Sequence, residues 1–314
     1  MRRLAVIGAL AALAAAGSGV GTSAATFTAH DAFTGTVTTA SDWVAPTLTL
    51  TSPADDSFQK TTTVTLSGAA GNAAGDDTTV SLNVYAGTAA TGTPTLTRSV
   101  NRSGATWTTS VTTLPQGTYT AQATQSDSSG NTTTTPTRTF TIDTTAPTRA
   151  SISAVNGTGT AGHLDAGDVI TFSYSEAITP SSILSGWSGS SAATVKVRFF
   201  NVSSTLDGFT VLDANSAANV KLDAGTTSSP GVTLGTNTNY VTNTVTFTGS
   251  MTRSADGKSF VIVLGANDNP SRIVSTAVSS AKMTWTPKAG PTDLAGNALT
   301  SVTTFIETDT DRDF

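Results

Sequence analysis

Short runs in which polar and apolar residues alternate recur along the chain, and they restrict its fold more than any other feature. The clearest runs are Thr47-Leu-Thr-Leu-Thr51, Thr63-Val-Thr-Leu-Ser67 and Val80-Ser-Leu-Asn-Val-Tyr85. A period of two residues places neighbouring side chains on opposite faces of a strand. Gly, Asn, Asp and Pro, which favour turns, stand between the runs. The pattern therefore predicts an all-β protein with many short strands.

The composition excludes several functional classes. There is no Cys, which excludes disulfides, thiolate catalysis and zinc sites built from cysteine. The net charge is −5, and no run of Lys or Arg follows Arg2-Arg3. A protein that binds nucleic acid is expected to carry a basic patch, so we expect no nucleic-acid partner.

The N-terminus has the three parts of a secretory signal peptide. Arg2-Arg3 precede an apolar run over residues 4–16, and small residues follow up to Ala25. The alternative is a membrane anchor, but the run is short for a span of about 20 residues. We expect residues 1–25 to be removed near Ala24 or Ala25. The mature protein is then secreted or cell-surface associated, with no membrane span.

Residues 26–45 are predicted to form an extended segment or linker. Phe27-Thr28, Asp31 and Gly35 match the segment that follows a SipW-dependent-type signal peptide, although Thr36 stands where Asn is usual. The segment resembles those of biofilm-fibre and pilin-like proteins of Gram-positive bacteria. The sequence Asp311-Arg312-Asp313-Phe314 is similar to the ends of such proteins. The resemblance implies a subunit of an extracellular fibre.

Two Ala-Pro-Thr sequences, at 45–47 and 146–148, are separated by about the length of one immunoglobulin-type sandwich. Proline fixes its own φ and favours an extended predecessor, as in a short linker. We therefore predict two tandem domains, one over 46–146 and a larger one over 147–314.

The first domain contains the most specific pattern of the chain. Trp107, Leu114, Gly117 and Tyr119 are followed by Asp127-Ser-Ser-Gly-Asn131. This spacing resembles bacterial Ig-like domains of surface and adhesion proteins. The resemblance implies that Tyr119 is a tyrosine-corner residue whose hydroxyl binds nearby backbone. It implies a fold and leaves the activity open.

The second domain is predicted to be a variant of the same architecture. Asp293-Leu-Ala-Gly-Asn297 repeats the Asp-x-x-Gly-Asn pattern of residues 127–131 before a final strand. Residues 201–243 are predicted to be an irregular insertion. The expected strands are the alternating or apolar runs at 150–155, 169–176, 195–199, 244–248, 259–264, 282–285 and 302–306.

The sequence indicates no catalytic residues. A Ser-His-Asp triad needs a His, and only His30 and His163 are present. His163 lies in a Gly-flanked turn and is interpreted as a turn residue. Glu176, after a strand, is a candidate for one carboxylate of a glycosidase pair, but no partner is identifiable and a loop role is favoured. Trp187 is either a sugar-stacking residue or, as we favour, a core anchor.

Weak structural Ca²⁺ is the one ligand with some support, because carboxylate and amide oxygens in loops are its usual ligands. The alternative, which we favour, is that these residues cap turns through their side chains. The candidates are Asp76, Asp77, Asp127, Asn131, Asp143, Asp165, Asp168 and Asp293.

The sequence therefore predicts a secreted, non-catalytic structural or adhesive Ig-like protein of the bacterial surface or extracellular matrix, such as a biofilm component. Its expected partners are other extracellular proteins, further copies of itself or surface polysaccharide. The alternative is an extracellular carbohydrate-binding protein. The sequence identifies no particular ligand.

Overall fold

The computed structural model describes residues 43–314, so the predicted signal peptide over 1–25 and residues 26–42 of the extended segment lie outside the described residues. The chain divides into two compact units. Of the described residues, 43–53, 65–109 and 120–138 belong to the first unit, and 54–64, 110–119 and 139–314 to the second. The predicted domain boundary between residues 146 and 147 stays a prediction.

Eight strands precede residue 143. They are β1 (Ser57–Gln59), β2 (Val64–Ala69), β3 (Thr79–Ala86), β4 (Leu96–Asn101), β5 (Thr106–Val111), β6 (Gly117–Ser126), β7 (Thr132–Thr134) and β8 (Arg138–Ile142). One sheet has the order β1-β8-β6-β3-β4, with β7 paired to β6, and a second sheet consists of β2 and β5. This grouping is that of an immunoglobulin-type sandwich, with β3, β6 and β8 in one sheet and β2 and β5 in the other.

The alternation in the sequence correctly predicted the buried face of these strands. Val80, Leu82 and Val84 of β3 are buried, whereas the residues between them are more exposed. The run over 47–51 differs from its prediction, because it forms no regular strand. It still contacts β2 through backbone hydrogen bonds, such as that from Thr51 N to Ser67 O at 2.8 Å, which are too few to form a ladder.

Nine further strands follow residue 148, together with two short helices. The strands are β9 (Arg149–Val155), β10 (Val169–Tyr174), β11 (Ala193–Ser203), β12 (Leu206–Asp213), β13 (Val232–Thr233), β14 (Val245–Arg253), β15 (Ser259–Asn267), β16 (Thr284–Trp285) and β17 (Phe305–Ile306). The helices are α1 (Pro180–Ile183) and a 3₁₀ helix (Pro270–Arg272).

These nine strands form one antiparallel sheet with the order β17-β16-β13-β12-β11-β14-β15-β10-β9. Its first and last strands, β17 and β9, lie against each other, so the sheet curls around a single core. Aromatic rings fill this core: Phe172 packs edge-on against Trp285 at 5.3 Å between ring centroids, and Phe199 packs against Phe209 at the same distance. One large apolar core thus holds residues from every part of the sheet.

Strand β12 corrects the prediction that residues 201–243 are irregular. It is a central, eight-residue strand, and six of its residues are buried. Phe209 and Val211 face the main core, whereas Thr210 is buried against Asp223 in the following loop. Because both faces of β12 are covered, its sequence has no period of two, and the usual signal of a strand is missing.

The structure confirms the predicted class: the protein is all-β and is built from β-sandwich sheets. Over residues 43–314, no helix is both long and apolar enough to cross a membrane.

Candidate functional site

Three carboxylates from distant parts of the sequence meet in the second unit. Asp143 follows β8, Glu176 follows β10, and Asp293 lies in the loop before β17. One carboxylate oxygen of each lies within 4.8 Å of those of the other two. Asp293 is buried, and the other two residues are half-buried. We call this group the 143–176–293 cluster.

Backbone contacts position the three side chains. The N–H of Asp143 donates to Gln59 O at 2.9 Å, and the side-chain amide of Asn297 donates to Asp143 O at 2.8 Å. Lys258 donates to Ser175 O at 3.2 Å, next to Glu176. The Asn297 bond ties the end of β8 to the loop that carries Asp293, and the Lys258 bond fixes the chain at the end of β10.

The cluster perturbs the proton affinity of Glu176. Burial raises the pKa of Glu176 to about 7, and the nearby carboxylates of Asp143 and Asp293 add to the rise, whereas Lys258 opposes it. A carboxyl group of this kind shares a proton with its neighbours or is neutralised by a cation. Carboxylate oxygens within 4.8 Å of one another can either share a proton or bind one cation.

Asp293 also has a structural role, which it shares with Asp127. In each loop the aspartate accepts two bonds from the Asn four residues later. Asp293 Oδ1 accepts from Asn297 N and Oδ2 from Asn297 Nδ2, both at 2.8 Å. Asp127 Oδ1 accepts from Asn131 N at 2.8 Å and Oδ2 from Asn131 Nδ2 at 2.7 Å. The repeated Asp-x-x-Gly-Asn pattern is therefore one loop structure used twice.

The other predicted Ca²⁺ candidates do not converge on these residues, and several of them cap turns. Asp76 Oδ2 accepts from Ala73 N at 2.9 Å. Asp168 accepts from Gly157 N at 3.0 Å and from Asp165 N at 2.7 Å. The structure thus joins Asp143 and Asp293 of the predicted set to Glu176, which the sequence made a candidate glycosidase carboxylate with a loop role favoured. Weak Ca²⁺ binding by loop residues of the predicted set stays a prediction.

Trp187, considered for sugar stacking, and His163, considered for catalysis, both have structural surroundings. Trp187 is 7% exposed, packs on Phe260, and donates from its indole N–H to Ser191 O at 2.8 Å. It is a core anchor, which confirms the favoured prediction. His163 is half-buried in the predicted turn, whereas His30 lies outside the described residues.

Sequence reasoning missed three buried aspartates. Asp207, Asp223 and Asp313 are each at most 1% exposed. Asp223 accepts from Val211 N and from the hydroxyl of Thr210, and Asp207 accepts from Tyr240 N and Val241 N. Their sequence contexts are those of ordinary loop residues, so only the tertiary structure reveals their burial.

Comparison with known proteins gives only distant similarities. No protein-family model and no curated protein sequence matches the chain. Among solved structures, the fibronectin(III)-like modules of Clostridium thermocellum CbhA are 11% identical, with 71% of this chain and 90% of that chain covered and a TM-score of 0.26. A putative membrane anchored protein from Corynebacterium diphtheriae is 12% identical, with 82% and 58% covered and a TM-score of 0.26. The titin domains z1z2 in complex with telethonin are 13% identical, with 85% and 95% covered and a TM-score of 0.22.

The class of the protein is therefore assigned from its own sheets. It is an all-β sandwich protein, and its larger unit contains a curled antiparallel sheet.

Proposed function

We propose that this chain is an exported, non-catalytic structural or adhesive protein of the bacterial surface or extracellular matrix. The observation that carries the proposal is the use of its acidic side chains. Asp127, Asp213 and Asp293 each accept backbone and amide bonds within their own loops. Acids that hold loops in this way support a scaffold rather than a reaction centre.

The Asp213 loop strengthens this argument, since it has the same backbone hydrogen bonds without the same sequence, and its amide donor comes from six residues later. Asp213 Oδ1 accepts from Asn215 N and Ala217 N at 2.9 Å, and Oδ2 accepts from Asn219 Nδ2 at 2.7 Å. The chain therefore uses one type of aspartate-capped turn in three places.

Export is supported by the tripartite N-terminal sequence, and assembly by the segment that follows it. Removal of residues 1–25 frees the polar segment over 26–44, which is suited to adding a strand to the sheet of a neighbouring copy. Strand β4 is the last strand of its sheet among the described residues, and a strand at a sheet edge can accept such an addition.

Light scattering on the mature protein tests the assembly. We expect the form that begins at residue 26 to show concentration-dependent association, and a form that lacks residues 26–44 to be monomeric. A third form, with 26–44 replaced by a Gly/Ser segment of equal length, controls for chain length. Monomeric behaviour of the intact mature form would contradict the assembly and leave a binding role intact.

The non-catalytic part of the proposal is tested at Glu176, because the 143–176–293 cluster is the arrangement closest to a catalytic carboxylate pair. We expect no glycosidase or protease turnover by the purified protein. Turnover that survives purification and is lost in Glu176→Gln, but kept in the control Asp256→Asn, would refute the proposal.

A carbohydrate-binding role is the second candidate, and the exposed Trp43 favours it. Trp43 is 67% exposed, whereas the earlier candidate Trp187 is buried. Exposed aromatic faces stack on sugars. Binding to cell-wall polysaccharide that is lost in Trp43→Ala and kept in Phe58→Ala would support this role over self-assembly.

A further inference from the structure

A second acidic group lies at the C-terminal end of the described chain, separate from the 143–176–293 cluster. Glu307, Asp311 and Asp313 each place one carboxylate oxygen within 4.8 Å of the other two. Glu307 and Asp313 are buried and Asp311 is exposed, so the group is open to solvent on one side only. We call it the 307–311–313 cluster.

Asp313 sets this cluster apart from an ordinary acidic surface. The residue is 1% exposed, and neither of its carboxylate oxygens has a hydrogen-bond partner among the described residues. The other buried aspartates contrast with it, since Asp207 accepts two backbone bonds and Asp223 three bonds in all. A buried carboxylate without a donor is costly unless a cation or a proton neutralises it.

The backbone around the cluster is fixed by regular contacts. Glu307 N donates to Met283 O at 2.9 Å, and Met283 N donates to Glu307 Oε2 at 3.1 Å. Asp311 and Ala281 exchange backbone bonds at 2.8 and 3.2 Å. Phe314, next to Asp313, is fully buried and packs against Phe199 and Tyr240. The three carboxylates are therefore held together by the fold.

We propose that the 307–311–313 cluster is a Ca²⁺ site, in which the two buried carboxylates and the exposed Asp311 bind one ion. Carboxylate oxygens without His or Cys select a hard cation over zinc or copper. Oxygens on opposite sides of Ca²⁺ are about 4.6–5.2 Å apart, which a spacing of up to 4.8 Å allows. Ca²⁺ also accepts irregular ligand geometry, whereas Mg²⁺ demands a near-ideal octahedron. Water fills the remaining positions on the exposed side.

The bound ion would stabilise the packing of the segment over residues 307–314. It supplies the missing partner of Asp313 and links Glu307, beside β16, to the segment that carries Phe314. With three carboxylates and an open side, we expect a dissociation constant of about 10⁻⁴–10⁻³ M, the range of extracellular modules.

Calcium binding to the purified full chain, measured by equilibrium dialysis after chelation, tests the proposal. We expect Asp313→Asn to bind one Ca²⁺ fewer per chain than the parent. Asp311→Asn, at an exposed position that does not threaten folding, should weaken the same site at least tenfold. Asp309→Asn, an exposed acid of the same segment whose charge lies near Glu307 but outside the cluster, is the matched control and should weaken binding far less than Asp311→Asn.

Thermal unfolding gives a second readout, because an ion that binds only the folded state raises the melting temperature with its concentration. We expect 10 mM Ca²⁺ to raise the melting temperature of the parent and of Asp309→Asn, and to have little effect on Asp313→Asn. Absence of binding by the parent up to 10 mM would overturn the proposal. So would parental stoichiometry and affinity in Asp311→Asn and Asp313→Asn, with the loss instead appearing in Glu176→Gln.

Discussion

Tyr119 is a single residue whose role was predictable in detail. Its hydroxyl donates to Pro115 O at 2.9 Å, and its ring packs on Phe140 with 5.9 Å between the centroids. This is the geometry of a tyrosine corner, so the structure confirms that part of the prediction. The spacing from Leu114 and Gly117 was sufficient because the partner lies only four residues away.

Replacing Tyr119 by Phe removes the corner hydrogen bond and keeps the ring packing. We expect Tyr119→Phe to lower the free energy of unfolding by about 1 kcal/mol, the usual net contribution of one intramolecular hydrogen bond. Urea denaturation measures the change, and Tyr85→Phe, at a half-buried position of β3, is the control. Equal midpoints for Tyr119→Phe and the parent protein would rule out the corner bond as a stabilising contact.

Asp207 illustrates the opposite case, a residue that only the tertiary structure explains. Burial raises its pKa to about 6, although bonds from Val241 N and Tyr240 N oppose the rise. The unfolded chain has a pKa near 3.9 at this residue. The folded state therefore binds the proton more tightly, and the contribution of Asp207 to stability is full below about pH 4 and is lost as the pH rises through about 6.

Asp207→Asn should reduce this pH dependence. We expect the unfolding free energy of the parent protein to fall more between pH 4.5 and pH 7 than that of the variant. Denaturant unfolding at both pH values measures the difference. Asp256→Asn is the control, because the hydroxyl of Ser254 and other donors lower the pKa of Asp256 instead. A parallel pH profile in Asp207→Asn and the parent would contradict the assignment.

At the level of elements, three loops share one backbone structure with different sequences. The fourth residue of each loop has positive φ: 89° at Gly130, 88° at Gly296 and 64° at Ser216. Glycine adopts this conformation without cost, whereas a residue with a Cβ is strained there. The Asp-x-x-Gly-Asn motif reveals two of the loops, and the third is hidden because serine occupies the position.

At this fourth loop position, replacing glycine by alanine and replacing serine by glycine should change the stability of the protein in opposite directions. Gly130→Ala is expected to lower the free energy of unfolding by about 1 kcal/mol, although no atom lies within 4 Å of the added Cβ. Ser216→Gly is expected to raise it by about 0.5 kcal/mol, because strain is removed. Chemical denaturation of both variants against the parent checks the pair, and a shift in the same direction for both would refute the shared loop structure.

At the level of the whole molecule, the curled nine-stranded sheet depends on residues that come from distant parts of the sequence. Phe314 is fully buried and packs edge-on against Phe199 at 5.7 Å and Tyr240 at 5.4 Å between centroids. The sequence around it is acidic and polar, so it gives no sign that its last residue belongs to the core.

Truncating this ring should destabilise the larger unit strongly. We expect Phe314→Ala to lower the free energy of unfolding by about 3–5 kcal/mol, through lost burial and the cavity left behind. Phe58→Ala, at a side chain 40% exposed, is the control and should cost much less. A change of the same small size in both variants would show that Phe314 is not part of the folded core.

The sequence by itself determined the all-β class, the positions of most strands, the tyrosine corner and the loop at residues 127–131. Each of these depends on interactions between residues close in sequence, or on an alternation that one exposed and one buried face impose. Local chemistry is sufficient for such features.

Only the tertiary structure decided the rest. Strand β12 shows no alternation because both of its faces are covered, and Asp143, Glu176 and Asp293 meet although long stretches of chain separate them. The burial of Asp313 depends on how the segment that carries it packs beside Met283 and Ala281. Burial and the meeting of distant side chains are properties of the packed sheet, and no local pattern in the sequence encodes them.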